Sequence, residues 1–157
     1  MPVQSFNLYT GKGYAGQEAI TNTSNTVITG RAEEDIAFGV ALARGVESDK
    51  GVKLGNAAGS AFAIALREVN HEADTRPSDG STSYKEGDSV SIIREGYVYV
   101  QLENRAAVAG SFVGINDTTG AIEGDDDSAG VTLSTNVRAE ESGQPGDVIK
   151  VRIDVSH

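Results

Sequence analysis

The sequence predicts an all-β chain, a small antiparallel β-barrel or sandwich carrying an extended N-terminal arm. Three observations predict it. Apolar residues recur at every second position in several separate stretches, the period of a strand with one buried face. Turn chemistry such as Asp79-Gly80, Asn116-Asp117-Thr118-Thr119-Gly120 and Gln144-Pro145-Gly146-Asp147 separates those stretches. Finally, 19 Gly against 3 Pro and 4 Phe in 157 residues favour many short strands and turns over long helices. This length suits one domain, or one domain with an appended arm.

Residues 1–30 hold apolar groups without a period, among them Val3, Phe6, Leu8, Tyr9, Tyr14 and Ile20, between Gly11, Gly13, Gly16 and the polar run 21–26. Such a segment builds no core alone, yet it is too aromatic for a plain linker. It reads as an extended arm that docks either on its own domain or on a partner. Val3, Phe6, Leu8, Tyr9 and Tyr14 are its candidate anchors. Residues 31–157 are expected to form the single β-rich domain.

From Ile36, bulky residues alternate with small ones. Ile36, Phe38, Val40 and Leu42 interleave with Ala37, Gly39 and Ala41, and Phe62, Ile64 and Leu66 interleave with Ala61, Ala63 and Ala65. A strand with one small face suits a sheet covered on both sides. The competing reading of 61–73 is a helix, because Ala, Leu, Glu and Arg are good helix formers. The alternation favours strand. Ala61, Ala63 and Ala65 are the candidate face for self-association.

Between these strands, Glu47-Ser48-Asp49-Lys50-Gly51 reads as a polar turn leading into Val52-Lys53-Leu54, and 70–83 as an exposed loop. In 84–102, Val90 and Ile92 alternate with Ser89 and Ser91, and Val98, Val100 and Leu102 with Tyr97, Tyr99 and Gln101. Arg94-Glu95-Gly96 is expected to turn the chain there into a hairpin. Further strands are expected at 111–115, 121–123, 131–133, 136–139 and 149–155, with an acidic loop at 123–130.

The net charge of −10 argues against nucleic acid, which is bound through clustered Lys and Arg. Residues 1–78 carry 7 basic and 9 acidic side chains, whereas 79–157 carry 6 and 14. Two readings stay open: a solvated acidic surface, or an acidic half facing water while the near-neutral half faces a partner. Without Cys no disulfide or thiolate site is available. The N-terminal residues lack the basic and apolar regions of a secretory signal, and no run approaches the ~18 apolar residues of a membrane helix. A soluble protein made without export is expected.

Catalytic, cofactor and metal sites are not expected. His71 and His157 are the only His, and neither lies in a context that fixes it beside a Ser and an Asp. Ligands for zinc are scarce. Asp125-Asp126-Asp127 lacks the alternating spacing of a calcium loop, and the Gly-rich run 11–16 neither follows a strand nor opens a helix. Glu47–Val52 resembles the hairpin tip of a lipoyl domain, but residues 30–45 contain no Gly-Asp turn to match.

The order of motifs carries a resemblance over nearly the full chain. It runs through Gly13–Gln17, Ile36–Gly45, Val52-Lys53-Leu54, Phe62–Arg67, Tyr84–Leu102, Ala107–Gly110, Val113–Gly120 and the terminal strand 149–155. In that order and spacing the chain resembles the structural cement proteins of tailed bacteriophages; only 123–147 departs, being more acidic and richer in polar loops. The resemblance implies a β-tulip-like fold and a structural, non-enzymatic role. It implies binding to the outside of an expanded HK97-like shell between capsomers, in the virion, after synthesis in the host cytoplasm. The implied partners are the phage major capsid protein and further copies of the chain, a trimer ahead of a dimer, with no nucleic acid and no membrane. A tail-fibre or receptor-binding β-module is the alternative, and a lipoyl-type carrier a more distant one.

Overall fold

The computed structural model describes residues 14–19, 25–55, 61–67, 83–124 and 130–155. Its elements are β1 (Thr26–Ala32), β2 (Ile36–Ala37), β3 (Ala41–Arg44), β4 (Gly51–Leu54), β5 (Ala63–Ala65), β6 (Ser83–Tyr84), β7 (Ser89–Gln101), β8 (Phe112–Asn116), β9 (Ile122–Glu123), β10 (Val131–Ala139) and β11 (Val148–Asp154). The all-β expectation holds, and in the alternating stretch at 61–66 Ala63–Ala65 is strand and no residue is helix. Among the described residues there is no helix, hence none long and apolar enough to cross a membrane.

Nine strands form one sheet in the order β1-β4-β3-β5-β7-β11-β10-β8-β9, and β1 also pairs with β7. That extra pairing closes β1, β4, β3, β5 and β7 into a ring. A ring of five cannot alternate strand direction throughout. One neighbouring pair must run parallel, and it is β1 with β4, through Arg31 opposite Gly51 and Ala32 opposite Val52. The sheet is therefore mixed rather than wholly antiparallel. β2 and β6 make a separate ribbon, with Ile36 opposite Tyr84.

β7 organises both halves. One edge pairs with β5 around Ile92 and Ile93 and then with β11 from Glu95 to Gln101; the other pairs with β1 from Ser89 to Glu95. The hairpin expected at 84–102 is absent, because β7 runs unbroken for 13 residues through Arg94-Glu95-Gly96. Gly96 does take a positive φ of 131°, but it makes an irregularity, not a turn. Opposite it the register of β1 slips between Thr26 and Val27. The Asn25 side chain fills the gap, accepting from the Tyr97 N–H at 3.2 Å and donating to Glu18 Oε1 at 2.7 Å. A Cβ on Gly96 would lie 2.0 Å from Asn25 Oδ1, so only glycine leaves room for that amide.

Two apolar clusters form the core. The first gathers Ile93, Val98, Val100, Leu102, Val113, Ile115, Val137, Ile149, Val151 and Ile153 with Ile64. The second holds Ile36, Phe38, Leu42, Val52, Tyr84, Val90 and Ile92 with Ala63 and Ala65. β5 thus contributes to both, Ile64 on one face and two alanines on the other, which is the double coverage its small face predicts. Tyr84 is fully buried, meets Phe38 edge-on at 5.1 Å, and donates its hydroxyl to the Leu66 carbonyl. The phenol thereby fills space and satisfies a main-chain acceptor in the interior.

The β3–β4 connection is clamped by Glu33. Its carboxylate accepts the Val46 N–H at 2.9 Å and the Glu47 N–H at 2.7 Å. A Cβ on Gly45 or Gly51 would fall 2.1 or 2.0 Å from Glu33 Oε1, so both glycines admit the carboxylate to the turn. The Val46 N–H holds Glu33 below its ordinary pKa, with Glu47, Ser48 and the charge of Lys53 adding to the effect and partial desolvation opposing it.

Candidate functional site

Two surfaces were expected to carry function, the arm and the alanine face. Of the arm anchors, Val3, Phe6, Leu8 and Tyr9 lie outside the described residues. Tyr14 is described: the residue is 68% exposed, and its ring lies under the Arg67 guanidinium at 4.0 Å.

Residues 14–19 dock on their own domain. Gly16 N–H donates to the Tyr99 carbonyl at 2.8 Å, Tyr99 N–H to Gln17 O at 2.9 Å, Ala19 N–H to Tyr97 O at 3.0 Å, and Arg67 N–H to Gly16 O at 2.8 Å. This segment continues the edge that β1 occupies along β7. The close approach depends on Gly39, where a Cβ would lie 2.7 Å from Gly16 N. Of the segment expected to be an arm, residues 26–30 thus lie in β1, and 14–19 dock along β7 through an isolated bridge of Glu18 with Val98 and the main-chain bonds above.

The alanine face needs a correction. Ala61, Ala63 and Ala65 are at most 1% exposed within the single chain. Ala63 and Ala65 share a cluster with Phe38, Leu42 and Tyr84, and Ala61 belongs to the other cluster. Among the described residues, the large side chains that approach these small ones come from the same domain.

A surface that sequence reading missed lies across β8, β10, β11 and β7. Phe112 pairs with Arg138, Arg138 with Arg152 and Arg152 with Tyr97, so these four form one row across the sheet. They point to solvent, since their neighbours Val113, Val137, Ala139, Val151, Ile153 and Val98 are buried. Arg138 stacks on Phe112 at 4.3 Å, while Arg152 and Lys150 lie 6.0 and 5.9 Å from the Tyr97 ring. Phe112, Thr135, Asn136, Arg138, Arg152 and Asp154 line a depression of about 280 Å³. Its floor is fixed by the irregularity in β10, where Ser134 Oγ accepts the Asn136 and Val137 N–H groups and Asn136 Nδ2 donates to Ala61 O at 2.8 Å. The sequence signal was the outward position of Arg152 and Tyr97 in their alternating strands. Their register with Arg138 is not readable locally.

Of the groups considered for chemistry, His71, His157 and Asp125–Asp127 lie outside the described residues. Glu123 is buried and accepts from Asn104 Nδ2 at 2.7 Å. Among the described residues no three His, Cys, Asp or Glu side chains gather as a metal site.

Comparison with known proteins agrees with this architecture. No curated protein sequence matches the chain. In fold it is similar to a chain of the capsid of Myoviridae phage XM1, with a TM-score of 0.73 at 15% identity, covering 98% of this chain and 95% of that one. It is also similar to the N base of the head fiber gp8.5 of bacteriophage phi29, with a TM-score of 0.51 at 16% identity, covering 85% of this chain and all of the other. The family model described as structural cement protein (E217 gp24/Pam3 gp6) matches residues 2–154. With that match spanning every described strand, the chain belongs to the phage structural cement protein family.

Proposed function

We propose that this protein is a non-enzymatic cement on the outer surface of an HK97-like phage shell, where it bridges neighbouring capsomers and resists internal pressure. The observation that carries the reading is the family match over residues 2–154, which takes in the whole β-domain. A sheet with a closed ring of strands and two buried apolar clusters suits a part that bears load without turning over substrate. The shell protein is the principal partner and the virion the place of action.

Purified protein added to expanded empty shells of the cognate phage that lack it should co-sediment with them and raise the temperature at which they disrupt. Shells that neither bind the protein nor gain stability would remove the cement reading. Self-association, a trimer ahead of a dimer, belongs to the same proposal, with its contact away from Ala61–Ala65. Sedimentation velocity at tens of micromolar, alone and with shells, tests it.

A second reading is the base of a fibre anchored on the head, favoured by the likeness to the phi29 head fiber base. Cryo-electron microscopy of the virion separates the two, since a cement lies flat between capsomers and a fibre base projects.

A further inference from the structure

Arg138 and Arg152 stand directly opposite each other in the antiparallel β10–β11 pair. Like charges so placed repel across a sheet, and an acidic chain of net charge −10 has no shortage of carboxylates to separate them. Among the described residues one forms an ion pair with either: Asp154 Oδ2 is 4.0 Å from Arg152 Nη2, with both side chains close to half exposed. Asp154 Oδ1 is buried without a hydrogen-bond partner, so this pair is poorly formed. Among the described residues Arg138 has the Phe112 ring and no carboxylate within ion-pair distance.

Stacking on an aromatic face orients a guanidinium and leaves its N–H edge free, the geometry that receives a carboxylate in two parallel hydrogen bonds. Lys150 adds a third cation beside Tyr97. Negative groups flank the row on both sides along the strands: Glu95 lies opposite Asp154 on one side, and on the other Glu140 donates its N–H to the Lys150 carbonyl. The positive centre is therefore narrow, one or two carboxylates wide. A nucleic acid strand would meet those flanking acids and the net negative field of the chain.

We propose that the depression between Arg138 and Arg152 is a docking site for an Asp or Glu side chain carried on an extended segment of the shell protein. The identity of that partner rests on the cement reading; the carboxylate specificity rests on the row itself.

The test uses the full chain and the double variant R138Q/R152Q. Both are titrated with hexaglutamate and, at matched ionic strength, with inorganic phosphate, following amide resonances at 112, 136–138 and 150–154. In the unmodified protein hexaglutamate should shift these resonances with an affinity that weakens as salt rises, and phosphate should shift them less. The variant should keep its Tm and lose the response. Binding to expanded empty shells should weaken on the order of tenfold for each guanidinium removed.

A folded double variant that binds shells as well as the unmodified protein overturns the assignment of the shell protein as partner and leaves the cement reading standing. Silence towards hexaglutamate, or a stronger response to phosphate, overturns the carboxylate site. If hexaglutamate binds but the unmodified protein ignores shells, the cement reading fails and the site stands. Self-association abolished by the double substitution would give the site to a second copy of this chain and overturn the shell-protein assignment.

Discussion

Replacing Gly39 by alanine should undock the N-terminal edge segment while leaving the side-chain contacts of the core in place. Two effects are mixed in that substitution, and a second glycine separates them. Gly39 has a φ of 76° and Gly87 one of 90°. A left-handed backbone costs an L-residue about 1–2 kcal/mol, so each alanine variant should lose at least about that much. A Cβ on Gly87 meets nothing within 4 Å, whereas one on Gly39 lies 2.7 Å from Gly16 N and 3.1 Å from the Ala15 carbonyl carbon. Those are main-chain atoms, which cannot swing aside as a flexible side chain would. The segment must lift, and the four main-chain bonds linking Gly16, Gln17 and Ala19 to Arg67, Tyr97 and Tyr99 go with it. At about 0.5–1.5 kcal/mol each, partly offset by the freedom regained by residues 14–19, the extra loss should be about 2 kcal/mol. Equilibrium urea unfolding of Gly39→Ala and Gly87→Ala, followed by far-UV circular dichroism, measures the difference. Hydrogen exchange at the Gly16, Ala19, Arg67 and Tyr99 amides reports the undocking directly. Equal losses in the two variants, with those amides still slow to exchange, would refute the close-approach argument.

Tyr84→Phe should cost about 1–3 kcal/mol, because it strands the Leu66 carbonyl in the interior; thermal unfolding checks this, and an unchanged Tm would show the bond to be dispensable. Ala63→Leu should lower stability by about 1–3 kcal/mol through overpacking beside Phe38, Leu42 and Tyr84; undiminished stability with loss of self-association would instead restore this residue to a subunit interface. Glu33 has a folded pKa below its ordinary 4.5, so its clamp on the β3–β4 turn should be complete above that value and fade as pH falls through the lowered one. Exchange of the Val46 and Glu47 amides should follow that course in the unmodified protein and be fast at every pH in Glu33→Ala; pH-independent protection in the unmodified protein would count against the clamp.

Local signals were read well where one strand suffices. The alternation of Ile149, Val151 and Ile153 gives β11, and that of Val98, Val100 and Leu102 gives the buried face of the second half of β7. Where a partner distant in sequence decides, the local signal misleads. Gly96 carries the backbone freedom of a hairpin turn, but that freedom admits the amide of Asn25, 72 residues before Tyr97. Ala61, Ala63 and Ala65 look like a face awaiting a partner, because small residues signal close approach without saying what approaches. The docking of 14–19 turns on two glycines, Gly16 and Gly39, whose contact no periodicity announces. The row Phe112-Arg138-Arg152-Tyr97 exists only through the register of four strands. Composition supplies its members, and topology brings them together.

β7 is held on both edges in both halves, by β5 and then β11 on one side and by β1 and then residues 16–19 on the other. Twisting one half against the other would require bending a backbone whose hydrogen bonds are occupied on either side. The strand therefore acts as a spine that runs through the irregularity at Gly96 with both edges paired. Displacement imposed on one end of β7 should pass to the other through main-chain hydrogen bonds rather than through a loop, a continuity that suits a cement protein of a phage capsid. Pulled from its two ends by optical tweezers, such a body should fail in one rupture, and two well-separated ruptures would show halves that yield independently.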